Sequence, residues 1–327
     1  MHLFAVLPLL SLLTPLITAF SSPLPCTGTC TNTHDPALLQ RGSDGTYFRF
    51  ATGGRLPIHT SPSLTGPWTY VGDVLPEGGS SIDNPGADDA WAPDVHEVDG
   101  TYYCYYSVSS FGTQDSAIGV ATSSSMDPGT WTDHGATGLS SSEGDDYNAI
   151  DANLVVQADE GEAHLAFGSF WGDIFTTTLA SSLLTISGDA SPVQIELNNT
   201  GTRPSEGAYI HQRDGSFWLF FSSGICCGYD GDRPAPGEEY KIMVCKSDAV
   251  EGPYVDADGT SCLSNGGTLV LGSHDNVYGP GGQGVYADAE YGDVLYYHYV
   301  DTNIGYSDGQ KQLGISVIDW SSGWPVV

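Results

Sequence analysis

One short pattern recurs along this chain: a tight-turn dipeptide followed by a run rich in aromatic residues. The clearest copies begin at Asp44-Gly45, Asp99-Gly100 and Asp214-Gly215, and weaker copies stand at Glu160-Gly161 and Gly292-Asp293. The glycines of successive copies are 55, 61, 54 and 77 residues apart. Recurrence over several tens of residues is typical of a repeat architecture, in which each copy forms one structural unit. The chain therefore contains five such units.

Each unit has the same order of elements. A short strand precedes the turn, an aromatic strand follows it, and a third strand leads into a Ser-rich corner; Asp-Gly is typical of the turn that closes such a hairpin. The 42 glycines and 19 prolines leave no room for long helices. We therefore predict an all-β fold, a five-bladed β-propeller. An ordinary two-sheet β fold, with Asp-Gly turns that recur by chance, is the alternative.

The N-terminal segment predicts where the protein works. Residues 3–19 are almost wholly apolar, carry no charge and end in Ile-Thr-Ala. This composition predicts a secretory signal peptide over residues 1–19, followed by a single catalytic propeller domain over residues 20–327. A transmembrane anchor is the alternative, but Pro8, Pro15 and the shortness of the run argue against it. We expect a secreted, extracellular monomer without a membrane partner.

Charge excludes several classes of partner. Nine Lys and Arg residues against 40 Asp and Glu residues give a net charge of −31. This charge would repel nucleic acid phosphates and anionic membrane surfaces, so we expect no nucleic acid partner. A polyanionic substrate is also disfavoured, and a neutral polysaccharide is expected instead.

The seven cysteines leave at least one thiol unpaired. Cys104, within an aromatic strand, is the candidate for a buried free thiol. Three pairs could form disulfides: Cys245 with Cys262, the adjacent Cys226 and Cys227, and Cys26 with Cys30. The absence of a Cys-x-x-Cys pair argues against metal binding by these residues.

Three acidic residues occupy corresponding places in the repeat. Asp35, Asp151 and Glu206 each stand close before the predicted innermost strand of a unit, and Asp94 is predicted to take the equivalent place in the second unit. Such positions converge on the axis of a propeller. Cleavage of a glycosidic bond needs one carboxylic acid and one carboxylate. Any one of these acids could be a turn or strand-edge residue, but their shared position points to a glycosidase site.

Five motifs carry a resemblance to a known family. In chain order they are His34-Asp35-Pro36, Trp91-Ala92-Pro93-Asp94, Ala149-Ile150-Asp151-Ala152-Asn153, Pro204-Ser205-Glu206-Gly207 and Val277-Tyr278-Gly279-Pro280-Gly281. From about residue 32 to 325 the chain resembles glycoside hydrolase family 43, inverting enzymes on a five-bladed propeller. Within that family it is most similar to secreted fungal endo-1,5-α-L-arabinanases. The departure is Ala152, where the family often has proline.

The resemblance implies roles for the three acids. Asp35 would be the general base, Glu206 the general acid, and Asp151 a third carboxylate that orients the acid and raises its pKa. The implied reaction is hydrolysis of internal α-1,5 bonds of arabinan. The alternatives are an exo-acting α-L-arabinofuranosidase or β-xylosidase of the same family, or a non-catalytic carbohydrate-binding propeller.

The resemblance also implies a bound ion and a sugar-binding surface. Members of the family often hold one central metal, read as calcium, through a single histidine, and His274 in the fifth unit is the candidate. A lone histidine is more often a hydrogen-bonding residue than a ligand. The predicted substrate-binding residues are Trp91, Asp94, Asn153 and Trp171, although most aromatic side chains must pack between blades.

Overall fold

The computed structural model describes residues 20–157, 161–200 and 204–327. The predicted signal peptide 1–19 and Glu160 of the third turn lie outside the described residues. Across those ranges the chain forms 19 strands and two short 3₁₀ helices, Cys262–Ser264 and Asp308–Gln310, without an α-helix. None of the helices described is long and apolar enough to cross a membrane.

The strands form five antiparallel sheets, each of which is one blade. Blade 1 contains β1 (Ala37–Gln40), β2 (Tyr47–Phe50), β3 (Pro57–Ser61) and β4 (Thr69–Asp73). Blade 2 contains β5 (Trp91–Val98), β6 (Thr101–Val108), β7 (Ser116–Ser123) and β8 (Thr132–Ser141). Blade 3 contains β9 (Asn153–Val156), β10 (Ala163–Phe167), β11 (Ile174–Thr178) and β12 (Val193–Glu196). Blade 4 contains β13 (Ser205–Arg213), β14 (Ser216–Ser223), β15 (Lys241–Ser247) and β16 (Thr268–Leu271). Blade 5 contains β17 (Val277–Asp288), β18 (Gly292–Asp301) and β19 (Gln312–Val317).

The five blades close into a ring. Within each blade the strands follow chain order. The first strands of consecutive blades contact one another, and β1 also contacts β17. One apolar cluster fills the space between each pair of neighbouring blades. Between blades 1 and 2, for example, Phe48 and Phe50 pack with Val95 and Tyr106. These features confirm the five-bladed propeller and exclude the two-sheet alternative.

The predicted turns close the hairpins of two blades as expected. Asp99 and Gly100 join β5 to β6 with φ values of 49° and 77°. Asp214 and Gly215 join β13 to β14 with φ values of 51° and 74°. Positive φ at both central residues is the geometry that matches the twist of antiparallel strands, and Asp-Gly supplies it at low steric cost.

The N-terminal segment completes blade 5. The Leu24 amide donates to the Ile315 carbonyl at 2.7 Å, and the Leu313 amide donates to the Cys30 carbonyl at 2.9 Å. Residues 24–31 therefore run beside β19 in the place of a fourth strand, so the two ends of the described chain meet in one blade. This pairing fastens the ring where blades 1 and 5 meet.

The cysteine predictions are confirmed. Disulfides join Cys26 to Cys30, Cys226 to Cys227, and Cys245 to Cys262. Cys104 is a free, buried thiol.

Candidate active site

One backbone feature recurs in, or just before, the first strand of every blade. A residue with left-handed φ stands two positions before a residue paired with the second strand. These left-handed residues are Asp35 (39°), Ala92 (45°), Asp151 (59°), Gly207 (63°) and Gly282 (56°). Positive φ costs energy in a residue other than glycine, and such strain concentrates at functional sites. Two of the five positions carry the predicted catalytic aspartates.

This register corrects one sequence-based expectation. Asp94 is not equivalent to Asp35 and Asp151; Ala92 is. The strand pairing is irregular between Trp91 and Asp94, which places Asp94 two residues further along β5. Its equivalent in blade 3 is Asn153, which also stands two residues after the left-handed position. Glu206 comes one residue before the left-handed Gly207.

The axial cavity is lined by residues from all five blades. Asp35, Asp151 and Asn153 line it together with Gly207 and Tyr240. Asp94, Tyr209, Gln283 and Tyr296 also contribute to the wall. Asp35 and Asp151 thus face one cavity, and Glu206 lies behind its wall, in contact with Tyr240.

Asp35 is held as an ionised carboxylate. The Thr52 hydroxyl donates to Asp35 Oδ2 at 2.7 Å, and the Asp35 amide donates to His298 Nδ1 at 3.0 Å. Burial acts against ionisation, yet the interactions with His298, His34 and Thr52 together hold the pKa of Asp35 below its ordinary value. The side chain is 32% exposed, so solvent water can reach it. A charged, accessible carboxylate suits a general base.

Glu206 is fixed by two hydroxyl groups. Ser169 Oγ donates to Glu206 Oε2, and Tyr240 Oη donates to Glu206 Oε1. Burial raises the pKa of Glu206; the two hydrogen bonds act in the opposite direction, and the net shift is upward. A carboxyl group with a raised pKa can keep a proton to donate, as a general acid requires.

Asp151 lies beside Glu206. Its Oδ2 accepts from the amide of Gly207 at 3.0 Å, and its own amide donates to Ser107 Oγ at 2.9 Å. Burial raises the pKa of Asp151 well above its usual range, and the charges of Glu206 and Asp35 add to that shift. Both members of the pair therefore resist ionisation. At least one proton belongs to the Asp151–Glu206 pair rather than to one residue.

This distribution refines the expected role of Asp151. The sequence predicts an ionised Asp151 that raises the pKa of Glu206 by repulsion. In the structure burial raises the pKa of Asp151 itself, and fewer donors reach its carboxyl group than reach that of Glu206. Like charges that share a buried space cannot both ionise, so each residue helps the other to keep the proton.

A buried lysine lies close to these acids. Lys311 is fully buried, and its Nζ donates to the Cys226 carbonyl at 2.8 Å. Burial lowers the pKa of Lys311, whereas the charges of Asp308 and Asp35 act in the opposite direction, and the charge of Lys311 lowers the pKa of Glu206. Burial and the charge of Lys311 lower the pKa of His298 to about 3. His298 is therefore neutral, which agrees with Nδ1 accepting from Asp35.

Asp94 and Asn153 join three blades. Asp94 Oδ2 accepts from the Leu154 amide at 2.7 Å, and Asp94 Oδ1 accepts from Asn153 Nδ2 at 3.1 Å. Asn153 Oδ1 accepts from the Ile210 amide at 2.8 Å. Both side chains are buried. Because protein donors occupy both oxygens of Asp94, these contacts favour a structural role. Both residues nevertheless line the cavity, and their contact with substrate stays a prediction.

The two predicted tryptophans lie outside the axial cavity wall. Trp91 is partly exposed, and its indole nitrogen approaches Asp89 Oδ2 at 3.4 Å. Trp171 is 51% exposed and directly follows the loop that carries Ser169 and Phe170. Since Ser169 contacts Glu206, Trp171 is close in sequence to the site, and a sugar-stacking role stays a prediction for both indoles.

His274 lies just before β17. Its Nδ1 donates to the Gly272 carbonyl at 2.9 Å, and Phe20 packs on its ring at 5.4 Å. His274 Nε2 is buried with no partner among the described residues, so its lone pair could serve as one metal ligand. Calcium prefers six to eight oxygen ligands, and the described ranges bring together no group of three His, Cys, Asp or Glu residues suited to a metal. The side chains do not fit a calcium site built by the protein, and a central calcium ion stays a prediction.

Sequence reasoning missed the residues that support the acids: Thr52, Ser169, Tyr240, His298 and Lys311. Most of them lie on second or third strands or on loops, whereas the repeat pattern draws attention only to positions before the first strand of each unit. For His298 a signal existed, because it stands in the aromatic run that follows the fifth turn.

Comparison with known proteins agrees with this geometry. The family model for glycosyl hydrolases family 43 matches residues 30–325. Arabinan endo-1,5-α-L-arabinosidase A of Aspergillus aculeatus is 57% identical over 316 residues, covering 97% of each chain. An exo-1,5-α-L-arabinanase from a bovine ruminal metagenomic library superimposes with a TM-score of 0.79 at 29% identity, covering 93% of this chain and 99% of that one. The α-L-arabinanase of Cellvibrio cellulosa in complex with arabinohexaose gives a TM-score of 0.79 at 26% identity, covering 91% and 96%.

A family match over nearly the whole chain, together with three acids on the axis of a five-bladed propeller, leads to one assignment. The chain belongs to glycosyl hydrolases family 43.

Proposed function

We propose that this protein is an endo-1,5-α-L-arabinanase that hydrolyses internal α-1,5-linked L-arabinofuranosyl bonds of arabinan. The observation that carries the proposal is the axial site, where a partly exposed Asp35 and a buried Asp151–Glu206 pair are each held by fixed hydrogen-bond donors. Two carboxyl groups with opposite proton preferences are what glycoside hydrolysis requires. Full-length similarity to the Aspergillus aculeatus enzyme supports arabinan as the substrate.

In the proposed mechanism Glu206 protonates the leaving glycosidic oxygen while Asp35 removes a proton from the attacking water. The water oxygen then bonds to the anomeric carbon from the face opposite the leaving group. Asp151 shares a proton with Glu206, so it limits the charge of the pair before the reaction. Thr52 keeps Asp35 Oδ2 oriented, and Ser169 and Tyr240 do the same for the two oxygens of Glu206.

Endo action is favoured over exo action by the close relatives and not by the fold. The exo-acting ruminal enzyme has the same propeller at a TM-score of 0.79, so blade architecture does not separate the two modes. The 57% identical relative that matches from end to end is named as an endo-acting enzyme. Loops at the rim of the cleft, which can close one end, would decide the mode.

Product analysis tests the proposal. Linear debranched arabinan should lose viscosity early and release a mixture of short oligosaccharides, which chromatography resolves over time. Xylan and an aryl arabinofuranoside, incubated in parallel, should be poor substrates. Arabinose as the sole early product would instead indicate an exo-acting enzyme, and absence of any reducing sugar would indicate a carbohydrate-binding propeller.

We also propose that the protein is secreted as a monomer after removal of residues 1–19. The apolar, uncharged run of residues 3–19 and the three disulfides support this proposal, because disulfides persist in oxidising compartments. N-terminal sequencing of protein from the culture medium, with light scattering for its mass, would test it.

A further inference from the structure

Arg49 is buried where the ring closes, between blades 1 and 5. It stands on β2, paired with Leu38 on β1 and His59 on β3. Its solvent exposure is 0%, and its Cζ lies 5.6 Å from the centre of the Trp68 ring. Trp68 belongs to the apolar cluster between blades 1 and 5, and the N-terminal segment passes over it through hydrogen bonds of Thr27 and Thr29. This position is separate from the axial acids.

Five buried nitrogen atoms on and beside Arg49 lack a hydrogen-bond partner among the described residues. All three guanidinium nitrogens of Arg49, Nδ1 of His59 and Nε1 of Trp68 are buried without a hydrogen-bond partner in the part of the chain that the structure describes. Native proteins rarely leave buried donors unsatisfied, and an unsatisfied group indicates a missing water, ion or ligand. Five such nitrogens on three neighbouring side chains make one cluster, which we name the Arg49 cluster; the four on Arg49 and Trp68 are donors.

The charge of Arg49 is also uncompensated. Burial lowers its pKa to about 10 and is the cause of the shift, with no carboxylate contributing. The guanidinium therefore stays protonated at neutral and acidic pH. His59 adds no negative charge, since burial and the charge of Arg49 lower its pKa to about 4 and leave it neutral near pH 7. An isolated buried charge is strongly unfavourable unless an opposite charge accompanies it.

We propose that the Arg49 cluster binds one small monovalent anion of the halide class, with chloride as the natural occupant. One negative charge would balance the single positive charge of Arg49. The guanidinium, together with the N–H groups of Trp68 and His59, would supply the donors. A small ion suits the site because Arg49 and Trp68 are at most 1% exposed. The ion would fasten β2 and β3 of blade 1 beneath the N-terminal segment and so stabilise ring closure.

Thermal unfolding tests the proposal in solution. The melting temperature of the wild type is measured in sodium chloride and in sodium gluconate at equal pH and ionic strength, since gluconate is too large for a sealed site. A ligand that binds only the folded state raises the melting temperature with its concentration. We expect a higher value in chloride, with saturation as chloride is titrated against gluconate. Arg49→Met should abolish this difference.

The matched control is Arg55→Met, which removes an exposed arginine paired with Asp73 in the same blade. It should keep the full response to chloride. An equal chloride effect in the wild type and Arg49→Met would overturn the proposal, because the effect would then come from general salt action. Arabinan hydrolysis at low temperature should be the same in both salts, which separates this site from the proposed catalytic function.

A crystallographic measurement does not depend on the folding of any variant. Wild-type crystals soaked in sodium bromide are measured at the bromine absorption edge. An anomalous peak within hydrogen-bonding distance of the Arg49 guanidinium would support the site. Refined water molecules at that position without an anomalous peak would overturn it, because they would satisfy the donors without balancing the charge.

Discussion

At the scale of single residues, three neighbouring carboxyl groups acquire different proton affinities from burial and from their immediate hydrogen-bond donors. Asp35 is partly exposed and accepts a hydrogen bond from the Thr52 hydroxyl. Asp151 accepts a hydrogen bond from the Gly207 amide and lies beside another acid. The hydrogen-bond donors around these residues differ more than the carboxyl groups themselves do. The environment therefore separates a base from a proton-carrying pair.

Replacement of Glu206 tests the acid directly. Glu206→Gln keeps the size of the side chain but removes the proton it would donate, and loss of a general acid costs about 10² to 10⁴ in rate. We expect kcat on arabinan to fall by that factor, with the melting temperature little changed. Glu77→Gln, at an exposed position, is the control and should keep full activity. A folded Glu206→Gln enzyme with near wild-type kcat would contradict the assignment.

Lys311 should set the pH range of the reaction. Its positive charge favours the ionised forms of Asp35 and Glu206. Lys311→Met removes that charge, so the acidic limb, where Asp35 ionises, and the alkaline limb, where the Asp151–Glu206 pair loses its proton, should both move to higher pH. The profile of kcat/KM against pH measures this shift. Lys246→Met, whose lysine packs on Trp218, should leave the profile unchanged, and an unshifted profile for folded Lys311→Met would rule the role out.

The sequence predicted the acids but not their supports, and the reason is physical. Asp35, Asp151 and Glu206 stand at similar places in the repeat, so the sequence alone shows that their positions correspond. His298 contacts Asp35, although the two are 263 residues apart in sequence, and Tyr240 contacts Glu206 at a separation of 34 residues. Such contacts depend on how strands of different blades pack at the axis. No local sequence pattern predicts that packing.

At the scale of elements, a one- or two-residue irregularity decides what a strand presents to the axis. The sequence placed Asp94 in phase with Asp35 and Asp151, but the irregular pairing of β5 and β6 carries it two residues further along the strand. The strands and hairpins were predictable because Asp-Gly turns and aromatic runs are local signals. Bulges were not, because they depend on cross-strand register.

The contacts of Asp94 make a prediction about stability. Asp94→Ala would leave the Leu154 amide and Asn153 Nδ2 without their acceptor, and each buried donor left unpaired costs about 1 to 3 kcal/mol. We expect a clear fall in the free energy of unfolding, measured by denaturant titration, with KM for arabinan changed less. The exposed Asp83→Ala is the control. Unchanged stability with a raised KM would restore Asp94 as a substrate-binding residue.

At the scale of the whole molecule, the ring brings together residues that are far apart in the chain. The proposed base comes from blade 1 and the proposed acid from blade 4, and blade 5 lies between them around the ring. The two groups therefore come from blades that are not adjacent. A water molecule must fit between base and sugar in an inverting enzyme, whose carboxyl groups are about 6.5 to 9.5 Å apart.

The stereochemistry of the product follows from this arrangement. If Asp35 activates water and forms no bond to the sugar, hydrolysis of an α-linked substrate should first release the β-anomer, as proton NMR of the earliest time points would show. Hydrolysis in dilute methanol provides a second measurement, because a covalent sugar–enzyme intermediate would pass part of the sugar to methanol. We expect no methyl arabinoside with the wild type. Early α-anomer together with methyl arabinoside would mean that Asp35 attacks carbon, and that the base and acid stand closer across the axis than the proposed mechanism requires.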